Sequence, residues 1–214
     1  MSRTRSVDAV ILRTIDIGDA DRFCILFTKE AGRKGARARG VRKTTSRLGG
    51  LLLPFRHVRI DLVESDHSCT IVSAMHIENG LTGSPDMQAF VRWERGVELL
   101  LALTQEDEPM PAVFHLLLSF LIISGDTSVE PLIPFQLRLL ALLGLLPSSP
   151  DDKRFARLTV QGQLFIHACE DIRDLHALAT LPIPEEDIKV FLDSVLAEHL
   201  TRPLKSADRA FDMV

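Results

Sequence analysis

The chain has 214 residues, 46% hydrophobic and 25% charged, enough apolar material to bury a sizeable core in one or two domains. Its three scattered cysteines, Cys24, Cys69 and Cys169, argue against a disulfide framework; with no apolar signal core before Arg13 and no bilayer-length apolar run, they predict a cytoplasmic protein that does not enter a membrane. The net charge of −4 hides a split, because residues 1–60 carry 14 Lys+Arg against 5 Asp+Glu while residues 61–214 carry 11 against 24, a pattern that often marks a nucleic-acid-binding module joined to something else.

The first third reads as β-structure. Val7 to Arg13 is rich in β-branched residues, Gly18 to Asp21 supplies a turn, and Arg22 to Thr28 forms a second strand that places Phe23 and Phe27 in an apolar core run. A third strand is predicted over residues 33–39. Phe55 to Val63 alternates so that Val58, Ile60 and Leu62 face the core, and Ser68 to Ile77 makes a fifth strand. Five short strands in about 75 residues predict a small closed barrel of the OB type.

Helical spacing follows. Ser84 is placed as an N-cap with Pro85 at the first helical position, and Phe90, Trp93, Val97, Leu100 and Leu101 form an apolar face opposite a solvated Arg92, Glu94, Arg95 and Glu98. The segment 111–123 is apolar nearly all round, which places it at the centre of a bundle with His115 as a hydrogen-bonded core histidine. A helix is expected over residues 134–143, ending near Gly144, then a hairpin or extended excursion over 155–168 around Gly162. A last helix carries the stripe Ile188, Phe191, Leu192, Val195, Leu196, His199 and Leu200. The fold class predicted is α+β: a five-stranded OB-fold barrel over residues 1–80 followed by an all-helical domain over residues 81–214.

The segment that carries chemistry is 32–47. Arg33, Lys34, Arg37, Arg39, Arg42, Lys43 and Arg47 stand there with no acid among them. On a strand, Arg33, Gly35, Arg37 and Arg39 share a face on which a sugar-phosphate backbone can approach closely, and Gly40 to Gly50 continues as a flexible cationic loop. Such a run is also met as plain solvated surface, but seven cations without counter-charge repel one another unless an anion binds. With few aromatics available for stacking, binding is expected through phosphates, indifferent to base sequence and steeply dependent on salt. His57, His67, Cys69 and His76 form the densest metal-capable cluster, but their spacing matches no zinc pattern, and nucleotide and hydrolase motifs are absent. No cofactor, metal or catalytic residue is therefore expected.

The order Ala9-Val10-Ile11-Leu12-Arg13, Phe27-Thr28-Lys29-Glu30-Ala31-Gly32, Arg39-Gly40-Val41-Arg42-Lys43, Ser46-Arg47-Leu48-Gly49 and Leu53-Pro54-Phe55 resembles the N-terminal domain of the RecO family of bacterial recombination mediators. The resemblance continues in residues 135–144 and in Leu204-Lys205-Ser206. It implies an OB-fold followed by a helical domain, binding of single- and double-stranded DNA, and annealing of complementary strands, including strands coated by single-stranded DNA-binding protein. It also implies work beside RecR, in some members RecF, to load RecA, in the cytoplasm at the nucleoid. Many members carry a four-cysteine zinc module after the mid-chain helix; Leu146-Pro147-Ser148-Ser149-Pro150 stands there instead, so no zinc is expected. Lys34 and Arg37 also replace apolar strand residues of the family. An OB-fold adaptor that binds RNA or a protein without strand annealing is the competing reading, and a hydrolase a distant third. Arg138 is placed either toward an acidic tail of a partner or in an ion pair at the edge of the core.

Overall fold

The computed structural model describes residues 3–65, 68–77, 86–126, 128–200, 202 and 204. Strands β1 (Arg3–Ile17), β2 (Asp21–Thr28), β3 (Gly32–Ala38), β4 (His57–Ser65) and β5 (Ser68–His76) close into a barrel in the order β1-β2-β3-β5-β4. Neighbours run antiparallel except β3 and β5, which are parallel. Helices follow: α1 (Met87–Leu103), α2 (Pro111–Ile123), α3 (Leu132–Leu142), α4 (Lys153–Ala156), α5 (Val160–Asp171), α6 (Leu175–Ala179) and α7 (Glu185–His199). This is the predicted α+β class, a five-stranded OB-type barrel with a helical region after it.

Alternation builds the barrel core. Val7, Ala9 and Ile11 of β1 meet Cys24 and Leu26 of β2, Ala36 and Ala38 of β3, Val58, Ile60 and Leu62 of β4, and Ile71 of β5. Burying each larger aliphatic side chain contributes about 1.5–3 kcal/mol. A bulge between Ile11 and Arg13 inserts Leu12 and resets the alternation. Before it the odd-numbered residues of β1 face the core; after it Thr14 pairs with the core residue Cys24, and Arg13, Ile15 and Ile17 turn outward. Gly32, at φ 68°, opens β3 where a Cβ would lie 1.9 Å from the Glu108 carbonyl oxygen, so only glycine fits.

The connection from β3 to β4 is not the flexible loop expected over Gly40 to Gly50. Val41, Leu52 and Phe55 are buried, and Leu48 packs against the barrel core. Backbone bonds from Arg42 N to the Ala20 carbonyl (2.9 Å) and from Phe55 N to the Ile11 carbonyl (2.7 Å) pin it at both ends. Its apolar residues, interspersed among the cations, supply the anchoring.

The chain forms two compact units, Met1–Ser84 with Thr104–Leu118, and Pro85–Leu103 with Ser119–Val214. In the second, α3 packs against α1, α5 and α6, and α4 against α7. Phe120 stacks on Phe135 with ring centroids 4.2 Å apart, over Gly96 of α1. Ile188, Phe191, Leu192, Val195 and Leu196 of α7 are buried as their spacing predicts, while His199 and Leu200 are half-buried.

Several helical expectations need correction. Ser84 and Pro85 lie outside the described residues; Asp86 caps α1, its carboxylate accepting from Ala89 N at 2.6 Å. Arg92 is buried rather than solvated, donating to the Ser124 carbonyl at 2.7 Å and paired with Glu130, because an arginine can bring its own donors to a helix C-terminus. Glu94, Arg95 and Glu98 are half-buried. His115 is exposed, so α2 is not buried all round; Pro111, Ala112, His115, Ser119 and Ile122 form its open face. Residues 155–168 are not a hairpin: they run from the end of α4 through a short turn at 157–159 into α5. Thr159 caps α5, its hydroxyl accepting from Gly162 N, and Gly162 sits inside the helix because a Cβ there would lie 2.3 Å from the Asp187 carboxylate.

Candidate nucleic-acid interface

The cationic segment begins on β3, whose even positions Ala36 and Ala38 fill the core and whose odd positions face out. Arg33, Gly35 and Arg37 therefore share the outward face, and Arg39 continues it just past the strand. Lys34 shares the inward parity but sits at the barrel end, where its ammonium meets Glu64 at 2.8 Å and Asp107 at 2.7 Å. Burial opposes its charge, yet the hydrogen bonds to Asp107 and Glu64 raise its pKa above the ordinary lysine value. Arg33 is half-buried; its backbone forms a parallel β-bridge to Glu106, and its carbonyl accepts from Asp107 N at 3.0 Å.

Two further cations of the segment are held by acids of the β1–β2 hairpin. Arg37 pairs with Asp21 at 2.6 Å, and Asp21 also accepts from Gly40 N at 2.7 Å. The Gly40 amide and then Arg37 hold the Asp21 carboxyl below its usual range. Arg42 donates to the Gly18 carbonyl at 3.0 Å and lies 3.3 Å from Asp16, whose carboxyl is lowered first by its hydrogen bond from Arg22. Arg22, which the sequence reading assigned no role, ties the hairpin to the β3–β4 connection by donating also to the Leu52 carbonyl.

Arg39, Lys43 and Arg47 remain exposed and form no ion pair among the described residues. The field of Arg39 reaches Asp21. Of the seven predicted cations, three thus stand open on an anchored connection, Lys34, Arg37 and Arg42 are ion-paired, and Arg33 is half-buried. Arg13 and Arg56, which composition of the 32–47 run alone does not highlight, are also exposed without ion pairs among the described residues. Phe27 is fully buried, but Phe23 is only partly so: it lies on the outward face of β2, with its ring end over Gly35. The expectation that Phe23 is core is corrected by the strand pairing, which puts Cys24 and Leu26 inward.

Elsewhere the chemistry is structural. Burial pushes the Cys24 and Cys69 thiols up to about 11 and that of Cys169 to about 12, so all three stay protonated and poorly nucleophilic. His67 lies outside the described residues; His57 is buried against Phe114, ring centroids 5.8 Å apart, and burial lowers its pKa. Among the described residues no three His, Cys, Asp or Glu side chains converge as for a metal ion, and no helix is long and apolar enough to cross a membrane. Arg138 forms no ion pair at the core edge among the described residues: it donates to the Cys169 carbonyl at 2.8 Å and the Glu170 carbonyl at 2.5 Å, closing the C-terminal end of α5. In the helical unit Leu164, Phe165, Ala168, Leu181, Pro182 and Ile183 line an apolar groove of about 460 Å³.

The first 79 residues match the family model described as recombination protein O, N terminal. Over nearly the whole chain, the sequence is 30% identical to the DNA repair protein RecO of Myxococcus xanthus strain DK1622, covering 94% of each protein. It is 28% identical to DNA repair protein RecO of Geobacter sulfurreducens, covering 93% of this chain and 94% of that one. It is 34% identical to DNA repair protein RecO of Nocardioides sp. strain JS614, over 72% of this chain and 66% of the relative. With an OB-type barrel at the matching end and likeness running the length of the sequence, the chain belongs to the RecO family of DNA repair proteins.

Proposed function

We propose that this chain is a recombination mediator, not an enzyme, that binds single- and double-stranded DNA by its phosphates, anneals complementary strands and assists RecA loading together with RecR. The observation that carries the reading is the trio Arg39, Lys43 and Arg47, exposed on a connection whose apolar residues are buried. Anchoring matters because cations held in place lose less freedom when they meet a phosphate than cations on a loose loop. Arg37 and Arg42, paired with Asp21 and Asp16, flank the trio, Asp21 also holds the Gly40 amide beside Arg39, and Arg33 and Lys34 stand at the adjoining barrel end. The DNA-binding domain is placed over residues 1–80, with the 104–118 segment packed onto it, and the partner-binding domain over residues 81–214. RecR and single-stranded DNA-binding protein are the partners, in the cytoplasm at the nucleoid, with RecF and RecA reached indirectly. The apolar groove beside α5 is the docking place assigned to such a partner.

The test is anisotropy of a labelled single-stranded oligonucleotide titrated with the protein from low to moderate salt, followed by annealing of complementary strands. Binding whose log K falls linearly with log salt, and annealing faster than the spontaneous rate, are the expected results. No binding at low salt overturns the reading. Strong preference for an RNA of equal length would move the chain to the adaptor class instead.

A further inference from the structure

The barrel presents an apolar platform that the phosphate contacts do not use. Register places Ile15 of β1 opposite Phe23 of β2, and Phe23 opposite Arg37 of β3; one step along, Arg13 faces Ile25 and Ile25 faces Gly35. All six lie on the outward face. Ile15 is 55% exposed, and Phe23 and Ile25 are partly so. Gly35 keeps the platform low: a Cβ there would stand 2.6 Å from Phe23 Cζ, so any other residue would tilt the ring off the sheet.

The bulge at Leu12 is what creates this surface. Without it Ile15 would follow Ile11 into the barrel core; with it Ile15 and Ile17 come out beside Phe23. Exposed Ile15 and Ile17 beside a partly exposed Phe23 make an apolar patch of the kind that marks a binding surface. The surroundings say which occupant it fits. Exposed Arg13 stands at one side of the platform, and the planar Arg37 guanidinium, already neutralised by Asp21, stands at the other. Arg39, open and charged, follows Arg37 two residues along the same face, about 7 Å on at the rise of a strand. An aromatic face between cations, with a phosphate contact about one extended nucleotide away, fits a flexible strand whose bases are unpaired.

We propose that Phe23, supported by Ile15, Ile25 and Gly35, is a base-stacking platform that takes one unpaired base of single-stranded DNA while Arg39 and Lys43 hold the adjoining phosphates. The inference rests on the DNA-binding reading above and adds a component that duplex DNA cannot use, because its bases are already stacked. Base discrimination is not expected, since every base has a π-face.

Phe23→Leu keeps the apolar cover and removes the aromatic face; Phe23→Tyr keeps both. Each variant is titrated by anisotropy against a single-stranded oligonucleotide, the same oligonucleotide built of abasic sites, and a duplex of equal length, with thermal unfolding to confirm folding. The expected result is loss of about fivefold or more in single-strand affinity for Phe23→Leu at unchanged salt slope, no change on abasic or duplex DNA, and wild-type behaviour for Phe23→Tyr. Equal losses on all three ligands assign Phe23 a structural role and overturn the platform. Wild-type single-strand affinity in Phe23→Leu, with Arg39→Ala still weakened, overturns the platform alone; failure of the wild-type protein to bind any DNA overturns the phosphate reading with it.

Discussion

Sorting the cationic run into open and engaged side chains changes the expected salt dependence of DNA binding. Each phosphate neutralised on a single strand contributes about −0.7 to the slope of log K against log salt. If all seven cations met phosphates, the slope would be about −5, and affinity would fall roughly 900-fold between 50 and 200 mM salt. If only the open Arg39, Lys43 and Arg47 do so, their share is about −2, or roughly 20-fold over the same range. The triple variant Arg39→Ala, Lys43→Ala, Arg47→Ala is therefore expected to flatten the measured slope by about 2, and each single variant by about 0.7. Lys34→Ala is the contrasting control. Its ammonium is committed to Glu64 and Asp107, so its removal should cost about 1 kcal/mol of stability or less and leave the slope in place. Anisotropy at four or five salt concentrations reads both quantities. A Lys34→Ala slope as flat as that of Arg39→Ala would refute the partition, because it would mean that the Lys34 ion pairs give way to phosphate.

The helical unit offers cleaner stability tests. Gly162→Ala puts a methyl group where the Asp187 carboxylate bonds Thr159 N and Oγ1, at 3.0 and 2.6 Å. Despite the better helix propensity of alanine, a net loss of about 1–3 kcal/mol is expected in urea unfolding. Arg138→Met leaves the Cys169 and Glu170 carbonyls without their charged donor and should cost about 1.5–3 kcal/mol with DNA affinity unaltered; a stability unchanged within error would show that water replaces the guanidinium. His57 gives a pH test. Burial holds its pKa below 6.5, so the unfolded chain takes the proton first. Its contribution to stability is complete above about pH 6.5 and declines as pH falls through the lower folded value, so urea midpoints should drop from pH 7 toward pH 5 and drop less in His57→Leu.

Much of the barrel was legible because period-two alternation and glycine turns are local signals. The strands around Val58-Arg59-Ile60-Asp61-Leu62 and Ala36-Arg37-Ala38 lie close to where their patterns put them. Helix α5 was not legible, because Gly162 reads as a breaker until Asp187, 25 residues on, is known to need the space beside it. Arg92 and His115 exchanged expected environments for a similar reason. Burial of Arg92 depends on the distant carbonyl of Ser124, and exposure of His115 on which flank of α2 finds a neighbour. Among the seven cations, the sequence supplied the charge of the segment but not its counter-charges. Asp16, Asp21, Glu64 and Asp107 come from three separate places in the chain.

Phe23 and Phe27 show what pairing adds to pattern. They are four residues apart on one strand, so they share a face, and that face is the outer one, since Cys24 and Leu26 fill the core. Their fates differ because the outer face is covered at one end only. Phe27 pairs with Val10 and Arg33, and Val10 with His57; this row is met by Phe114 against His57 and by Glu106 bridging Arg33, and Phe27 is fully buried. Phe23 pairs with Ile15 and Arg37, a row that stays partly open to solvent. Residues 104–118 thus act as a partial cover of the barrel wall, and the bulge at Leu12 stocks the uncovered part with isoleucines. The bulge turns Ile15 and Ile17 outward, and Gly35 leaves the room in which the Phe23 ring lies against the sheet. Their coincidence on these uncovered rows, with Arg39 two residues past Arg37, is what the proposed base-stacking platform rests on.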